Sequence, residues 1–160
     1  MTDLRGLLIR LAAAEFPFVV VGGYAAFAHG ATLVTQDLDV CCVFTDDSLQ
    51  RLDAAIGALH PVHRMRPDRP PLVMPPGFSR GLQNLYLDTD LGPLDLLGRI
   101  KGIGGYPEAL ARSEAVQVGD TTIRLLSLDA IIQAKEAMDR DRDQEAARQL
   151  REIRGMRESS

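Results

Sequence analysis

The sequence predicts an α+β domain in which a mixed β-sheet is flanked by helices. Short apolar runs such as residues 18–21 and 38–44 have the composition of strands. Helical stripes with apolar residues every three or four positions alternate with these runs. At 160 residues, the chain has the length of one domain with a substantial core. We expect a single domain, with its core in residues 17–126 and C-terminal helices in residues 127–157.

The N-terminal third contains the most informative elements. Residues 4–15 carry a helical apolar stripe, which Pro17 ends. The apolar run 18–21 predicts a strand, and Gly22-Gly23 predicts a sharp turn into a short helix over 24–28. A second strand is predicted over 38–44. Thr45 is a suitable N-cap for a helix that extends to about residue 59.

The remaining elements alternate between hairpins and helices. Residues 60–81 are rich in proline and arginine and predict a loop, with a short strand at 72–74. Two hairpins are predicted, over 82–97 and 115–126. Residues 102–106 predict a flexible connection, residues 107–113 a short helix, and residues 142–156 a charged last helix. Ser127 is the expected N-cap of a helix that ends near residue 138.

Composition excludes several classes of protein. Apolar residues make up 46% and charged residues 25%, as in ordinary soluble domains. A net charge of −4 does not provide the positive field of a non-specific nucleic-acid binder. No apolar run is long enough to span a membrane, so we expect no membrane partner and a cytoplasmic location. The adjacent Cys41 and Cys42 would face opposite ways in a strand, which predicts free thiols in a reducing compartment.

Two carboxylates at the start of the second strand are the leading candidates for chemistry. Alternation places the side chains of Asp37 and Asp39 on one face and those of Leu38 and Val40 on the other. Two like charges that lie this close repel each other unless a counter-ion neutralises them. Mg²⁺ prefers carboxylate oxygens, so the pair predicts a metal site. The alternative is a solvated strand edge without a metal.

A metal site of this kind is typical of phosphoryl transfer, in which metal ions bridge the phosphate oxygens. Two metal ions commonly require three carboxylates, so we expect a third one nearby. Asp95 is the best candidate, since it lies among leucines in a predicted strand, where a bare charge needs a partner. Asp88 and Asp90 are rivals, but they border a hairpin turn, where acidic residues are common. Glycines after a strand let the backbone approach a triphosphate, so Gly22 and Gly23 are predicted to bind nucleotide.

These motifs together resemble those of minimal nucleotidyltransferases of the polymerase-beta-like superfamily. The matching features are an apolar strand with Gly22-Gly23, followed by Asp-Leu-Asp at residues 37–39. His29-Gly30 and Thr35, and the run SLDAIIQAK at residues 127–135 with Arg140 and Asp143 after it, resemble the abortive-infection toxin (AbiEii-like) branch. The resemblance covers about residues 18–150. It implies a polymerase-beta-like palm fold.

The resemblance also implies a mechanism. Asp37 and Asp39 would hold Mg²⁺, or alternatively Mn²⁺, against a nucleoside triphosphate. Asp95 would hold a second metal and help to deprotonate an acceptor hydroxyl or phosphate. Thr35 and Lys135 would contact the nucleotide, and Lys135 is counted with the catalytic residues. The branch often has an arginine where this chain has Leu33, and an aspartate where it has Ala146.

Several residues have a structural alternative. Lys135 could be a surface residue that follows an apolar stripe, and His29 could simply end the short helix. A group of loop arginines could form a basic rim for an acceptor or could be solvated: Arg64, Arg66, Arg69 and Arg80.

The acceptor is open between RNA, which the toxin of a toxin–antitoxin pair would modify, and a small molecule such as an antibiotic. A cognate antitoxin is a predicted partner in the first case. The alternative to an enzyme is a non-catalytic member, such as an antitoxin, that binds nucleotide or a partner.

Overall fold

The computed structural model describes residues 2–31 and 36–159, which form six α-helices and nine strands. The helices are α1 (Leu4–Ala13), α2 (Gly22–Ala28), α3 (Asp46–Ile56), α4 (Tyr106–Ala111), α5 (Leu128–Glu136) and α6 (Asp141–Glu158). The strands are β1 (Val19–Val21), β2 (Leu38–Cys41), β3 (Val62–His63), β4 (Asn84–Thr89), β5 (Gly92–Leu97), β6 (Arg99–Ile100), β7 (Gly104–Gly105), β8 (Ser113–Val118) and β9 (Thr121–Leu126).

Seven strands form one mixed sheet in the order β3-β4-β5-β2-β1-β9-β8. Strand β2 runs parallel to β5, and β1 runs parallel to β9, whereas the other neighbours are antiparallel. Strands β6 and β7 form a separate two-stranded ladder. The predicted α+β class with a mixed sheet is therefore confirmed.

The central strands bury one face completely. Along β2, β4 and β5, alternate apolar residues have no exposed surface: Leu38, Val40, Leu87, Leu94 and Leu96. Because side chains alternate between the two faces of a strand, the residues between them point to the opposite face. That face carries Tyr86 on β4, Asp95 on β5 and Asp39 on β2, which the register places side by side.

Helices α3 and α5 start where their capping residues predict. Thr45 accepts a hydrogen bond from the backbone of Ser48, whose side chain bonds back to Thr45, so α3 begins with a complete capping box. Ser127 is the N-cap of α5, as the sequence predicts. A 3₁₀ turn, Gly57–Leu59, continues α3. Helix α1 buries its leucines and packs against α3 and β9.

Three predicted features differ in the structure. Residues 72–74 are not a strand; instead Val62–His63 form β3, and an isolated bridge joins Val62 to Pro71. The prolines at 70 and 71 leave few amide donors for a longer ladder. Residues 102–106 contain β7, whose pairing with β6 uses two glycines. Gly22 begins α2 directly after β1, so no separate turn intervenes.

Both cysteines are buried free thiols. Burial, with a smaller contribution from the charge of Glu108, raises the pKa of Cys41 to about 11. The pKa of Cys42 is raised as well, chiefly by burial. Both thiols are therefore protonated and unreactive at neutral pH. No helix in the described part of the chain is long and apolar enough to cross a membrane.

Candidate active site

Asp39 and Asp95 lie directly opposite each other on the neighbouring parallel strands β2 and β5. Directly opposed residues share a face, so both carboxylates stand on the same side of the sheet. Asp37 immediately precedes β2, and its negative charge acts on both of them. The structure thus brings the three predicted carboxylates into one region.

The two rival carboxylates have other partners at the turn of the β4–β5 hairpin. Asp88 accepts a hydrogen bond from Arg69 at 2.6 Å, and Asp90 lies 2.6 Å from the imidazole of His60. Each of these acids thus has a side-chain partner of its own near the hairpin turn. Asp95 is the residue of the hairpin that reaches Asp39.

Asp39 is held in an environment that disfavours its charge. Burial raises its pKa to about 7, and the charges of Asp95 and Asp37 add to the effect, while Lys135 opposes it. Within the described residues, Oδ1 of Asp39 is buried and has no hydrogen-bond partner. A buried oxygen left in this state marks a place where a cation or a donor fits.

Gly22 lies against this carboxylate. Its φ of +68° is in the left-handed region, which glycine adopts without strain. A Cβ at this position would collide with Oδ2 of Asp39 and would come within 3.0 Å of Asp39 Cβ and Cγ. The close approach of backbone to carboxylate at the β1–α2 junction therefore requires glycine. Gly23, the second predicted glycine, is the next residue of α2.

Asp95 differs from Asp39 because an arginine neutralises it. Nη2 of Arg64 donates to Oδ1 of Asp95 at 2.5 Å, and both side chains are largely buried. Burial raises the pKa of Asp95 and Arg64 lowers it, and the net direction is up. Arg64 and Arg69 both pair with acids of the sheet, so these two predicted loop arginines are neither a free basic rim nor fully solvated.

Asp39 lines a cleft of about 300 Å³, whereas Asp37 and Asp95 are not among the lining residues. Gly22 and Asp39 form one wall, and α5 and α6 form the other. Four basic side chains of the described residues line this cleft: Arg99, Lys101, Lys135 and Arg140. The structure therefore places Lys135 in the same cleft as Asp39. Arg99 and Lys101 were not anticipated, because the β6–β7 ladder that presents them was not predicted.

Asp143 organises the far wall of the cleft. Its side chain is 3% exposed, and it accepts hydrogen bonds from Lys135 at 3.4 Å and Arg140 at 2.6 Å. Burial alone would raise the pKa of Asp143, but the bond from Arg140 and the charge of Lys135 outweigh it and lower the pKa. A fixed anion thus holds two of the cations at the edge of the cleft.

A second, larger groove is chemically different. It measures about 500 Å³ and lies between α3 and residues 72–76. Its charged lining residues, among those described, are Asp46 and Asp53, with no cation beside them. Such a groove does not suit a phosphate, so the smaller cleft is the better candidate for a nucleotide.

The remaining predicted residues have simple outcomes. His29 is buried at the C-terminal end of α2, and its Nε2–H donates to the carbonyl of Leu126 at 2.9 Å, which is a structural role. Thr35 and Leu33 lie outside the described residues.

Over residues 2–31 and 36–159, no group of three or more His, Cys, Asp and Glu side chains is arranged to hold a metal ion. Within these same residues, the buried side-chain atom without a hydrogen-bond partner is Oδ1 of Asp39.

Comparison with solved structures identifies the fold. The solution structure of the antibiotic-resistance factor ANT(2'')-Ia aligns with a TM-score of 0.51 and 18% identity, over 98% of this chain and 91% of that one. The chain has the nucleotidyltransferase fold. The match extends over nearly the full length of both proteins.

Two further structures align less closely. One is a candidate nucleotidyltransferase from H. pylori, with a TM-score of 0.44 and 17% identity over 81% of this chain and 54% of that one. The other is JHP933 from Helicobacter pylori, with a TM-score of 0.43 and 16% identity over 84% and 57%. The chain spans little more than half the length of these two proteins. No protein-family model and no curated protein matches the sequence.

Proposed function

We propose that the protein is a divalent-cation-dependent nucleotidyltransferase, which moves a nucleoside monophosphate from a nucleoside triphosphate to an acceptor hydroxyl. The observation that carries this proposal is the pair Asp39 and Asp95 in register on neighbouring strands, of which Asp39 packs against Gly22 and lines a basic cleft. Acidic groups that hold a cation, next to cations that hold phosphates, are what phosphoryl transfer needs.

Asp37 and Asp39 are the residues that we assign to the cation, with Mg²⁺ as the first choice and Mn²⁺ as the alternative. Bound there, the ion would neutralise charge on the phosphates. The unpaired Oδ1 of Asp39 supports this assignment, because binding a cation would satisfy it. Asp95, the third predicted ligand, lies beside them but already has Arg64 as its counter-ion.

The triphosphate is assigned to the basic cleft. Lys135 and the exposed Arg99 and Lys101 would contact its oxygens, and Gly22 and Gly23 would let the backbone come close to them. A volume of about 300 Å³ is at the lower end of the range for small-molecule sites, and the cleft is open to solvent. Thr35 stays a predicted nucleotide contact.

The chemistry of the chain's own groups follows from these positions. The acceptor hydroxyl attacks the α-phosphorus, forming a new P–O bond, while the bond from the α-phosphorus to the bridging oxygen breaks. We assign the acceptance of the hydroxyl proton to Asp95, the carboxylate that lies between Asp39 and Tyr86 on the sheet. Pyrophosphate leaves with the electron pair and remains next to the cations of the cleft.

A small-molecule alcohol is the acceptor that we favour. The fold similarity to ANT(2'')-Ia extends over nearly the whole of both chains, and that protein is an antibiotic-resistance factor. RNA as acceptor, a role as the toxin of a toxin–antitoxin pair, a cognate antitoxin and a place in the abortive-infection branch are predictions of the sequence alone. A cytoplasmic location is likewise a sequence prediction.

The first experiment is calorimetric titration of each nucleoside triphosphate with and without Mg²⁺. We expect binding that requires the metal, that Asp39→Ala abolishes, and that Asp88→Ala leaves unchanged, because Asp88 pairs with Arg69 away from Asp39. Labelled nucleotide is then incubated with aminoglycoside-type alcohols, total RNA and cell protein. Metal-independent binding, or metal-dependent binding without transfer to any of these acceptors, would contradict the enzymatic proposal and favour a binding protein.

A further inference from the structure

The two opposed carboxylates of the site differ in one respect that their symmetric positions on β2 and β5 do not explain. One oxygen of Asp39 is buried without a hydrogen-bond partner in the described part of the chain. The corresponding Asp95 has Oδ1 occupied by Arg64 at 2.5 Å. Among the described residues, no donor therefore contacts Oδ1 of Asp39, whereas Oδ1 of Asp95 has one that belongs to the protein.

Arg64 is fixed in this position by the sheet. It follows β3 directly, and its backbone N–H donates to the carbonyl of Tyr86 at 2.9 Å, which extends the pairing with β4 by one residue. Its Nη1 donates to the carbonyl of Leu87 at 3.2 Å. Arg64 is thus anchored three times on β4 and β5, once through its backbone N–H and twice through its guanidinium, which cannot swing away without breaking its bonds to the Leu87 carbonyl and the Asp95 carboxylate.

The ion pair is also shielded from water. The side chain of Arg64 is 21% exposed and that of Asp95 is 14% exposed. Opposite charges interact more strongly under such partial burial than at the surface, and separating them would leave two poorly solvated charges. A divalent cation bound to Asp95 would have to lie next to the guanidinium or to displace it.

From this geometry we propose that Arg64 takes the place of a second divalent cation at Asp95, so that the nucleotide-loaded protein holds a single divalent cation, on Asp37 and Asp39. This inference rests on the proposed nucleotidyltransferase function and deepens it. It also revises the sequence prediction that Asp95 is a metal ligand. Arg64 acts through Asp95 and is a positioning residue, which holds that carboxylate in place beside the acceptor.

The test counts bound Mn²⁺, a paramagnetic substitute for Mg²⁺. Free Mn²⁺ is measured by electron paramagnetic resonance in the presence of saturating α,β-methylene nucleoside triphosphate, and the ions bound per protein–nucleotide complex are counted. We expect one for the wild type. Arg64→Ala and Arg64→Gln uncover Asp95 and should bind two, and the double variant Arg64→Ala/Asp95→Ala should return to one.

Arg69→Ala is the matched control. It removes the neighbouring ion pair with Asp88, on the same edge of the sheet, where the side chains are 50% and 33% exposed, and it should leave one ion bound. Two ions in the wild type, or one in both Arg64 variants, would overturn the inference while the proposed function stands. A wild type that binds neither Mn²⁺ nor the nucleotide overturns the inference and the proposed function together.

Discussion

The backbone at Gly22 lies so close to Asp39 that a Cβ at residue 22 would collide with Oδ2 of that carboxylate. Gly22 also has a φ of +68°, which other residues adopt only with strain. Two constraints therefore act on the same position. One is local to the chain, and the other comes from a neighbouring strand that carries the proposed cation ligand.

Gly22→Ala should therefore lower both the stability of the protein and its binding of nucleotide. We expect a loss of about 1–3 kcal/mol in the free energy of unfolding, from the φ penalty and the collision. We also expect loss of Mg²⁺-dependent nucleotide binding, because Asp39 must move. Urea unfolding and calorimetry measure the two effects.

Gly155→Ala is the control for this substitution. Gly155 lies in α6, and a Cβ there would meet nothing within 4 Å. Alanine should stabilise the helix by roughly 0.5–1 kcal/mol and leave binding unchanged. If Gly22→Ala were as stable and as active as Gly155→Ala, the close packing of residue 22 on Asp39 would have no functional meaning.

Asp39→Asn should make the protein more stable. Burial and the neighbouring acids raise the pKa of Asp39 to about 7 from an unfolded value of 3.8. The folded state then binds more protons than the unfolded state between these values, so wild-type stability falls as pH rises from about 4 to about 7. An amide does not titrate, and the variant avoids this loss.

The difference between Asp39→Asn and the wild type should thus grow across that pH range and reach a plateau above it. At pH 8 we expect Tm to rise by about 2–4 °C, the shift that roughly 1 kcal/mol produces in a chain of this size. Metal-dependent binding should disappear in the same variant. A variant that is less stable than the wild type at pH 8 would show that the Asp39 carboxylate contributes favourable contacts to the fold.

The acidic pair could be predicted because it depends on alternation. The period of a strand puts Asp39 opposite to its apolar neighbours, and the leucines around Asp95 mark it as an acid in a buried strand. Capping residues fixed the starts of α3 and α5 for a similar reason, since Thr45 and Ser127 act on amides only three residues away. Local rules were sufficient for these features.

The counter-ion and the basic cleft could not be predicted in this way. Arg64 reaches Asp95 through the pairing of the two-residue strand β3 with β4, and such a short strand has no periodic signal. Lys101 and Arg99 depend on the β6–β7 ladder, which pairs across two glycines and has no apolar pattern. Contacts between very short segments are decided by the packed fold rather than by the local sequence.

The cations of the cleft give a prediction about nucleotide affinity. Lys101→Ala removes an exposed positive charge from its lining. A lost charge-assisted hydrogen bond of about 1.4 kcal/mol would raise the nucleotide Kd about tenfold, and the effect should shrink with added salt. Calorimetric titration at two salt concentrations measures both.

Arg148→Ala is the control for Lys101→Ala, because it changes the net charge of the protein by the same amount. Arg148 pairs with Glu145 and Glu152 along α6 and does not line the cleft, so the nucleotide Kd should remain within a factor of two. An equal loss in both variants would mean that the whole-protein charge, and not the cleft, attracts the nucleotide.

Asp143→Asn tests the carboxylate that holds Lys135 and Arg140 at the α5–α6 wall of the cleft. The folded-state pKa of Asp143 is lowered, because the hydrogen bond from Arg140 and the charge of Lys135 outweigh its burial. Its contribution to stability is therefore present above the unfolded pKa and is lost as pH falls through the lower folded value.

We expect Asp143→Asn to lose about 1–3 kcal/mol in the free energy of unfolding at pH 7, measured by urea unfolding. Asp129→Asn, which breaks an exposed pair with Arg154, is the control and should have a much smaller effect. The gap between wild type and Asp143→Asn should narrow as the pH falls below about 4, and a gap that stays constant from pH 7 to pH 2 would show that the ionised carboxylate is not what stabilises the α5–α6 wall.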